Sequence, residues 1–119
     1  MKNISCKNIF IDFHGEATSE KRALGFFLDG KISALAGTHT HVPTADEQIL
    51  PKGTGYITDA GMCGGMQSVL GVKPENAIYK QRTGLPVRFS PVGEDVLLQG
   101  VVFTLNKDGK CEHIERFSD

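Results

Sequence analysis

The chain has 119 residues, enough for one domain, and its 39% hydrophobic and 23% charged residues are ordinary for a globular protein. Its net charge of −1 argues against DNA binding, which needs a basic surface. No apolar run approaches the roughly 20 residues of a membrane-spanning helix, and the polar N-terminus lacks the apolar core of a signal peptide. We therefore expect a single cytoplasmic domain over residues 1–119, with no membrane attachment.

The first predicted elements alternate strand, helix and strand. Residues 9–13 form a short apolar run rich in β formers, which predicts a buried strand. A helix is expected from Thr18, as N-cap, to Gly30, and residues 32–36 predict a second strand. Short connections between these elements are typical of a βαβ unit with a parallel sheet.

The second half of the chain predicts a different architecture. A short strand is expected at residues 56–58 and a helix from Pro74 to about Arg82, because proline suits the first helical turn. Residues 95–105 are β-prone, and Asp108-Gly109 is a strong hairpin signal before the second arm at 110–117. The fold class predicted is α/β, with a mostly antiparallel C-terminal part.

Three histidines fall where predicted strands meet loops. His14 follows the first strand, and His39 and His41 follow the second. Ligand sites of parallel sheets lie outside the carboxyl ends of the strands, so all three are expected at one sheet edge. In extended chain, residues two apart project to the same side, about 6.6 Å apart. That spacing would let His39 and His41 reach two metals, or one metal from two directions.

The residues around these histidines are polar enough to support a site. Thr38 and Thr40 offer hydroxyls and exposed amides to an oxyanion, and three carboxylates could hold a histidine tautomer: Asp12, Glu16 and Asp46. The glycine-rich loop at 59–65 could cradle a phosphate or could be a plain turn.

Simpler interpretations stay open for each of these residues. A single His-x-His pattern arises by chance, a lone histidine at a strand end is often structural, and His113 is expected at the surface. The cysteines, Cys6, Cys63 and Cys111, are odd in number and form no CxxC pair, which favours reduced thiols over a disulfide or zinc framework. Cys63 could be reactive, although most lone cysteines act as small apolar residues.

Residues 10–21 (FIDFHGEATSEK) and 37–47 (GTHTHVPTADE) closely resemble the YmdB-like metallophosphoesterases, which are calcineurin-like bacterial enzymes. The segments 56–62 (YITDAGM) and 83–89 (TGLPVRF) are also similar to that family. The likeness runs from about Ile9 to the C-terminus. Two long, unusual motifs in the same order make the resemblance specific.

The resemblance implies a phosphodiesterase of the 2′,3′-cyclic-nucleotide class, built as a β-sandwich flanked by helices. It implies two divalent metal ions, usually iron or manganese, which would grip the phosphate and activate a water. His14 and His39 would bind one metal and His41 the other.

Other motifs of the family are absent from this chain, which resembles the C-terminal half of a metallophosphoesterase domain alone. Family members are about twice as long. Their N-terminal half carries Gly-Asp, Asn-Gly-Glu-Asn and Gly-Asn-His motifs that provide carboxylate and asparagine ligands and a general acid. We find none of them here, so no catalytic residue is assigned.

Three neutral histidines bring no negative charge to two cations, which would repel each other strongly. We therefore expect at most one weakly bound metal and little or no activity in the chain alone.

A partner could complete the site, either a complementary N-terminal half or a second copy of this chain. A split gene, a decaying remnant and a truncated or misannotated start each fit the sequence. The alternative function is a non-catalytic, metal-binding or oligomerising fragment.

Overall fold

The first half of the chain folds as the expected strand–helix–strand unit. β1 (Phe10–His14) leads into α1 (Thr18–Leu28), and β2 (Ala34–Thr38) then pairs with β1 in parallel. The register places His14 opposite Thr38, so both strands end at the same level. This computed structural model describes residues 6–119, and residues 1–5 of the polar N-terminal segment lie outside it.

Two further strands complete a four-stranded sheet. β3 (Gln48–Ile49) and β4 (Gly55–Ile57) follow, and the spatial order is β1-β2-β4-β3. β4 is parallel to β2, while β3 is antiparallel to β4. The sequence did not predict β3, because two residues are too few to produce an alternating pattern. Within the described residues, β1 pairs on one side alone and forms an edge of the sheet. Its residues are exposed or half-buried, so the expectation of a buried strand was wrong.

The N-terminus of α1 differs from the prediction. Thr18 is the first helical residue, and the cap is Ala17, whose carbonyl accepts the N–H groups of Glu20 and Lys21 at 3.2 Å each. No side chain caps this end, so the choice of Thr18 as N-cap was wrong. The predicted end was right, since the helix stops at Leu28, just before Gly30, whose φ of 78° suits glycine.

Residues 60–98 form an excursion, which connects the sheet to the C-terminal hairpin. β5 (Gly64–Gly65) pairs antiparallel with β6 (Val96–Leu97). α2 (Pro74–Thr83) comes between these two strands in the sequence. α2 begins at Pro74, as predicted, and ends at Thr83, close to the expected end near Arg82. It has no fully buried residue. Neither helix in the described part of the chain is long and apolar enough to cross a membrane.

The C-terminal strands form the expected hairpin. β7 (Gln99–Leu105) pairs antiparallel with β8 (Cys111–Ser118) through the Asp108-Gly109 turn. The predicted single strand at 95–105 is interrupted at Leu98, because β6 pairs with β5 and β7 with β8.

The sheet lies between α1 and the hairpin. On one face, Gly25 of α1 rests on the Tyr56 ring so closely that a Cβ there would come within 2.7 Å of it. On the other face, Phe103 and Cys111 of the hairpin pack on Gly55. The buried apolar cluster lies on the α1 side, and its members are Leu28, Ile32, Leu35, Leu50 and Tyr56. This layered α/β arrangement agrees with the predicted fold class.

Candidate metal centre

His14 and His39 meet at the carboxyl ends of β1 and β2. His14 is the last residue of β1 and His39 directly follows β2. Nε2 of His14 lies 3.2 Å from Nδ1 of His39, and the two rings meet edge to face with centroids 5.0 Å apart. The sheet topology therefore brings together two of the three histidines that the sequence singled out.

The second nitrogen of His14 is held by a hydroxyl relay. Its Nδ1 lies 3.1 Å from Oγ1 of Thr38, and that hydroxyl lies 3.3 Å from Oδ1 of Asp12. Since a threonine hydroxyl carries one proton and can also accept, it can join a carboxylate to an imidazole. The expectation that Asp12 supports a histidine is thus met indirectly, through Thr38.

His41 points to a different neighbour. Its Nδ1 lies 3.2 Å from the carbonyl oxygen of Leu70, in the excursion before α2. The assumption of an extended His-x-His segment was wrong, because β2 ends at Thr38 and the chain then bends. His39 has a φ of 151° and His41 a φ of 65°, so the backbone turns sharply at both positions.

A buried ion pair that the sequence analysis missed lies beneath this bend. Nζ of Lys21 is 3.2 Å from Oδ2 of Asp59, and both side chains are almost fully buried. The same oxygen accepts the Thr40 N–H at 2.8 Å, while Oδ1 accepts the Gly61 N–H at 3.0 Å. Helical spacing could have indicated that Lys21 is buried, since it lies on the same face of α1 as the buried Gly25 and Leu28.

The hydrogen bonds to Asp59 determine its ionisation. Burial alone would raise the pKa of this carboxyl. The N–H groups of Thr40 and Gly61, together with the Lys21 ammonium, outweigh that effect and hold the pKa below its ordinary value. Asp59 is therefore a carboxylate at neutral pH.

The other residues predicted near the histidines have separate partners. Asp46, expected to support a histidine, instead accepts the backbone N–H and the hydroxyl of Thr58 and pairs with Arg22 at 3.5 Å. Thr40 donates its N–H to Asp59 and its hydroxyl to the Val42 carbonyl. The expectation of a free Thr40 amide was therefore wrong.

The expected surface position of His113 is confirmed. His113 is exposed on the hairpin and lies 3.5 Å from the Glu115 carboxylate. Cys6 and Cys63 are free and exposed, and Cys111 is free and buried.

The His14–His39 pair has the spacing of two metal ligands. Nitrogens that share one metal, each about 2.0–2.1 Å from it at angles of about 90–110°, lie roughly 2.9–3.4 Å apart. The observed 3.2 Å falls inside that range. However, no group of three or more His, Cys, Asp or Glu side chains within residues 6–119 is arranged to hold a metal ion. The described residues could thus offer two nitrogen ligands to a metal ion, but not a complete coordination shell.

Acid is expected to destabilise the fold through Asp46 and Asp59. For Asp46, burial raises the pKa, but hydrogen bonds from Thr58 and Thr44 outweigh it, so both carboxyls have lowered pKa values. A lowered pKa in the folded state adds stability above the ordinary value of 3.8, and that stability is lost as the pH falls further. The urea concentration at the unfolding midpoint, measured from pH 3 to 7, should decrease once the pH falls below about 4. The Asp46→Asn variant should show a shallower drop, and an equal slope in both proteins would contradict this assignment.

Comparison with known proteins identifies the family of this chain. The family model described as YmdB-like protein matches residues 1–117. The 2′,3′-cyclic-nucleotide 2′-phosphodiesterase of Bacillus subtilis (strain 168) is 55% identical over 109 residues, which cover 91% of this chain and 41% of that protein. A putative phosphatase/phosphodiesterase of Mycoplasma pneumoniae is 44% identical over 106 residues, or 88% of this chain and 38% of the relative.

Two solved structures contain the fold of this chain as part of a longer chain. A hypothetical protein of Thermus thermophilus superposes with a TM-score of 0.92 at 37% identity, over 98% of this chain and 46% of that one. A novel phosphatase of Mycoplasma pneumoniae superposes with a TM-score of 0.90 at 40% identity, over 97% of this chain and 42% of that one. This chain therefore spans less than half the length of the relatives it matches. Since the family model covers nearly every residue, the chain belongs to the YmdB-like protein family.

Proposed function

We propose that this chain is the histidine-bearing part of a metal-dependent phosphodiesterase that acts on 2′,3′-cyclic nucleotides. The observation that carries the proposal is the 3.2 Å approach of the His14 and His39 nitrogens at the carboxyl edge of a parallel sheet. The relative that is 55% identical and is named for this activity supports the substrate class. In such a reaction, water adds to phosphorus, the bond from phosphorus to O2′ breaks, and O2′ takes up a proton.

The three histidines would divide the work of holding two divalent cations. His14 and His39 would bind one cation through Nε2 and Nδ1, and the relay through Thr38 would fix the orientation of the His14 ring. His41 would bind the second cation through Nε2, since its Nδ1 faces the Leu70 carbonyl. Iron or manganese ions, when bound, would polarise the phosphate and lower the pKa of a water.

The cations need carboxylates that the described histidine cluster does not provide. Two divalent ions a few ångströms apart repel strongly unless negative ligands lie between them. We propose that these ligands, and the acid that protonates O2′, come from a segment outside this chain. Its strands would pair with the open edge of β1, where Phe10 is 56% exposed. Such pairing would end beside His14 and place new ligands at the same edge.

The substrate-binding roles proposed for Thr38 and Thr40 rest on position. Both residues flank His39 at the edge of the sheet, where Thr38 is half-buried and Thr40 is exposed. The hydroxyl of Thr40 donates to the Val42 carbonyl and also receives the Val42 N–H at 3.3 Å. A phosphate oxygen would have to displace the Val42 carbonyl to receive the Thr40 proton.

A non-catalytic role is the alternative, and one observation favours it. The excursion around α2 exposes several large apolar side chains, which is typical of surfaces that contact another protein. They are Ile78, Tyr79, Leu85 and Phe89. An oligomerising fragment without activity would use this surface and would need no metal.

Reconstitution separates these functions. The chain is mixed with the N-terminal half of the Bacillus subtilis relative, and metal content and hydrolysis of 2′,3′-cyclic AMP are measured. We expect about two metals per complex, with turnover by the complex and little by either part alone. His39→Ala should lower turnover by at least about 100-fold, because a coordinating nitrogen is lost.

His113→Ala is the matched control, since this histidine is exposed on the hairpin and pairs with Glu115 alone. It should leave metal content and turnover unchanged. A reconstituted complex without metal, or equal losses in the two variants, would contradict the proposed enzyme. An inactive complex that still assembles would favour the non-catalytic alternative.

A further inference from the structure

The backbone around Thr40 is held in an unfavourable conformation on both sides. His39 has a φ of 151° and His41 a φ of 65°, values that residues with side chains rarely adopt. Such a conformation is unfavourable and persists only where surrounding contacts fix it. Some group must therefore hold the peptide between the two histidines.

Asp59 is placed to be that group. Thr40 donates its backbone N–H to Oδ2 of Asp59 at 2.8 Å, a short bond to a charged acceptor. The other carboxylate oxygen accepts the Gly61 N–H at 3.0 Å, so the side chain links the bend to the loop after β4. Because Asp59 has no exposed surface, water does not compete for these bonds.

Lys21 anchors the carboxylate from a third element. Its ammonium reaches Asp59 from the first turn of α1, and its side chain is 1% exposed. A buried ion pair contributes little net stability, because both charges lose their hydration. The pair is therefore better explained by the geometry it imposes than by the energy it adds.

We propose that the buried Lys21–Asp59 pair is a positioning device, which acts through the Thr40 N–H to turn His39 toward His14 and His41 toward Leu70. The inference rests on the proposed function for its consequence, which is metal affinity. The orientation of the two histidines does not depend on that function, because it follows from the backbone of this chain alone.

Asp59→Asn tests the device, and Asp29→Asn is the matched control. Asp29 is also a buried carboxylate with two backbone bonds, from Lys52 at 2.9 Å and Thr54 at 3.3 Å, near the opposite end of the sheet. Hydrogen exchange of the full chain is measured by NMR under native conditions. In Asp59→Asn, the Thr40 amide should exchange at least about tenfold faster relative to the β2 amides. In Asp29→Asn, the Lys52 and Thr54 amides should respond and Thr40 should not.

Metal affinity gives the second measurement. Mn²⁺ binding to the complex with the N-terminal half should weaken about 10–100-fold in Asp59→Asn, as for other groups that orient metal ligands. It should change less than about twofold in Asp29→Asn. Equal weakening in both variants, or an unchanged Thr40 exchange rate in Asp59→Asn, would overturn the proposal.

The positioning role can still be tested if the complex binds no Mn²⁺ or if Asp59→Asn does not fold. If the complex of the natural chain binds no Mn²⁺, the proposed function fails, while the exchange rates still decide the positioning role. If Asp59→Asn does not fold, Lys21→Met replaces it, since methionine keeps the length of the side chain and removes the ammonium. Faster exchange at Thr40 supports the device, and an unchanged rate overturns it.

Discussion

Replacing Gly37 with alanine is expected to lower the free energy of unfolding by about 3 kcal/mol or more. A Cβ at this position would collide with the carbonyl oxygen of Thr58 and would lie 2.9 Å from Cδ of Lys21. Thr58 follows β4, and its carbonyl is part of the backbone, so it cannot move aside as a flexible side chain could. β2 would have to separate from β4, and the path of Lys21 to Asp59 would be blocked.

Gly93→Ala is the matched control for this substitution. No atom lies within 4 Å of the Cβ built at Gly93, and its φ is outside the left-handed region. Its free energy of unfolding should change by less than about 0.5 kcal/mol, as for other surface changes. Both values come from urea unfolding monitored by circular dichroism. A Gly37→Ala variant as stable as Gly93→Ala would mean that the two strands can separate at little cost.

The regular elements were predictable because their signals are local. Apolar runs predicted β1 and β2, proline marked the start of α2, and Asp-Gly marked the hairpin. The interruption at Leu98 was not predictable, because residues 95–105 are β-prone throughout. What divides β6 from β7 is the identity of their partners, because β6 pairs with β5, far earlier in the chain, whereas β7 pairs with β8, the next strand.

The candidate site was likewise predictable only in part. Strand order was enough to bring His14 and His39 to one edge, since parallel strands end together. Spacing could not give the direction of His41, because the backbone leaves the extended conformation at His39. The buried pair of Lys21 and Asp59 was hidden for another reason. Charged residues are seldom fully buried, so sequence reasoning assigns them to the surface by default.

The energies of that pair give the last prediction. Lys21→Met leaves a carboxylate buried without its cation, and Asp59→Asn leaves a buried ammonium without its anion. Each single substitution should cost about 3–5 kcal/mol of unfolding free energy. The double variant should cost less than the sum by about 2 kcal/mol, because neither charge is then left unpaired.

The double variant should not recover the positioning of the histidines. Asparagine is neutral and has one acceptor oxygen, so it holds the N–H groups of Thr40 and Gly61 more weakly than the Asp59 carboxylate does, whichever of them it accepts. Urea unfolding of the four proteins in the cycle measures the coupling energy, and amide exchange at Thr40 and Gly61 measures the bend. Recovery of stability without recovery of exchange protection would separate the two roles of the pair. A coupling energy near zero would mean that Lys21 and Asp59 are each stabilised by other groups, and that their ion pair adds nothing to the fold.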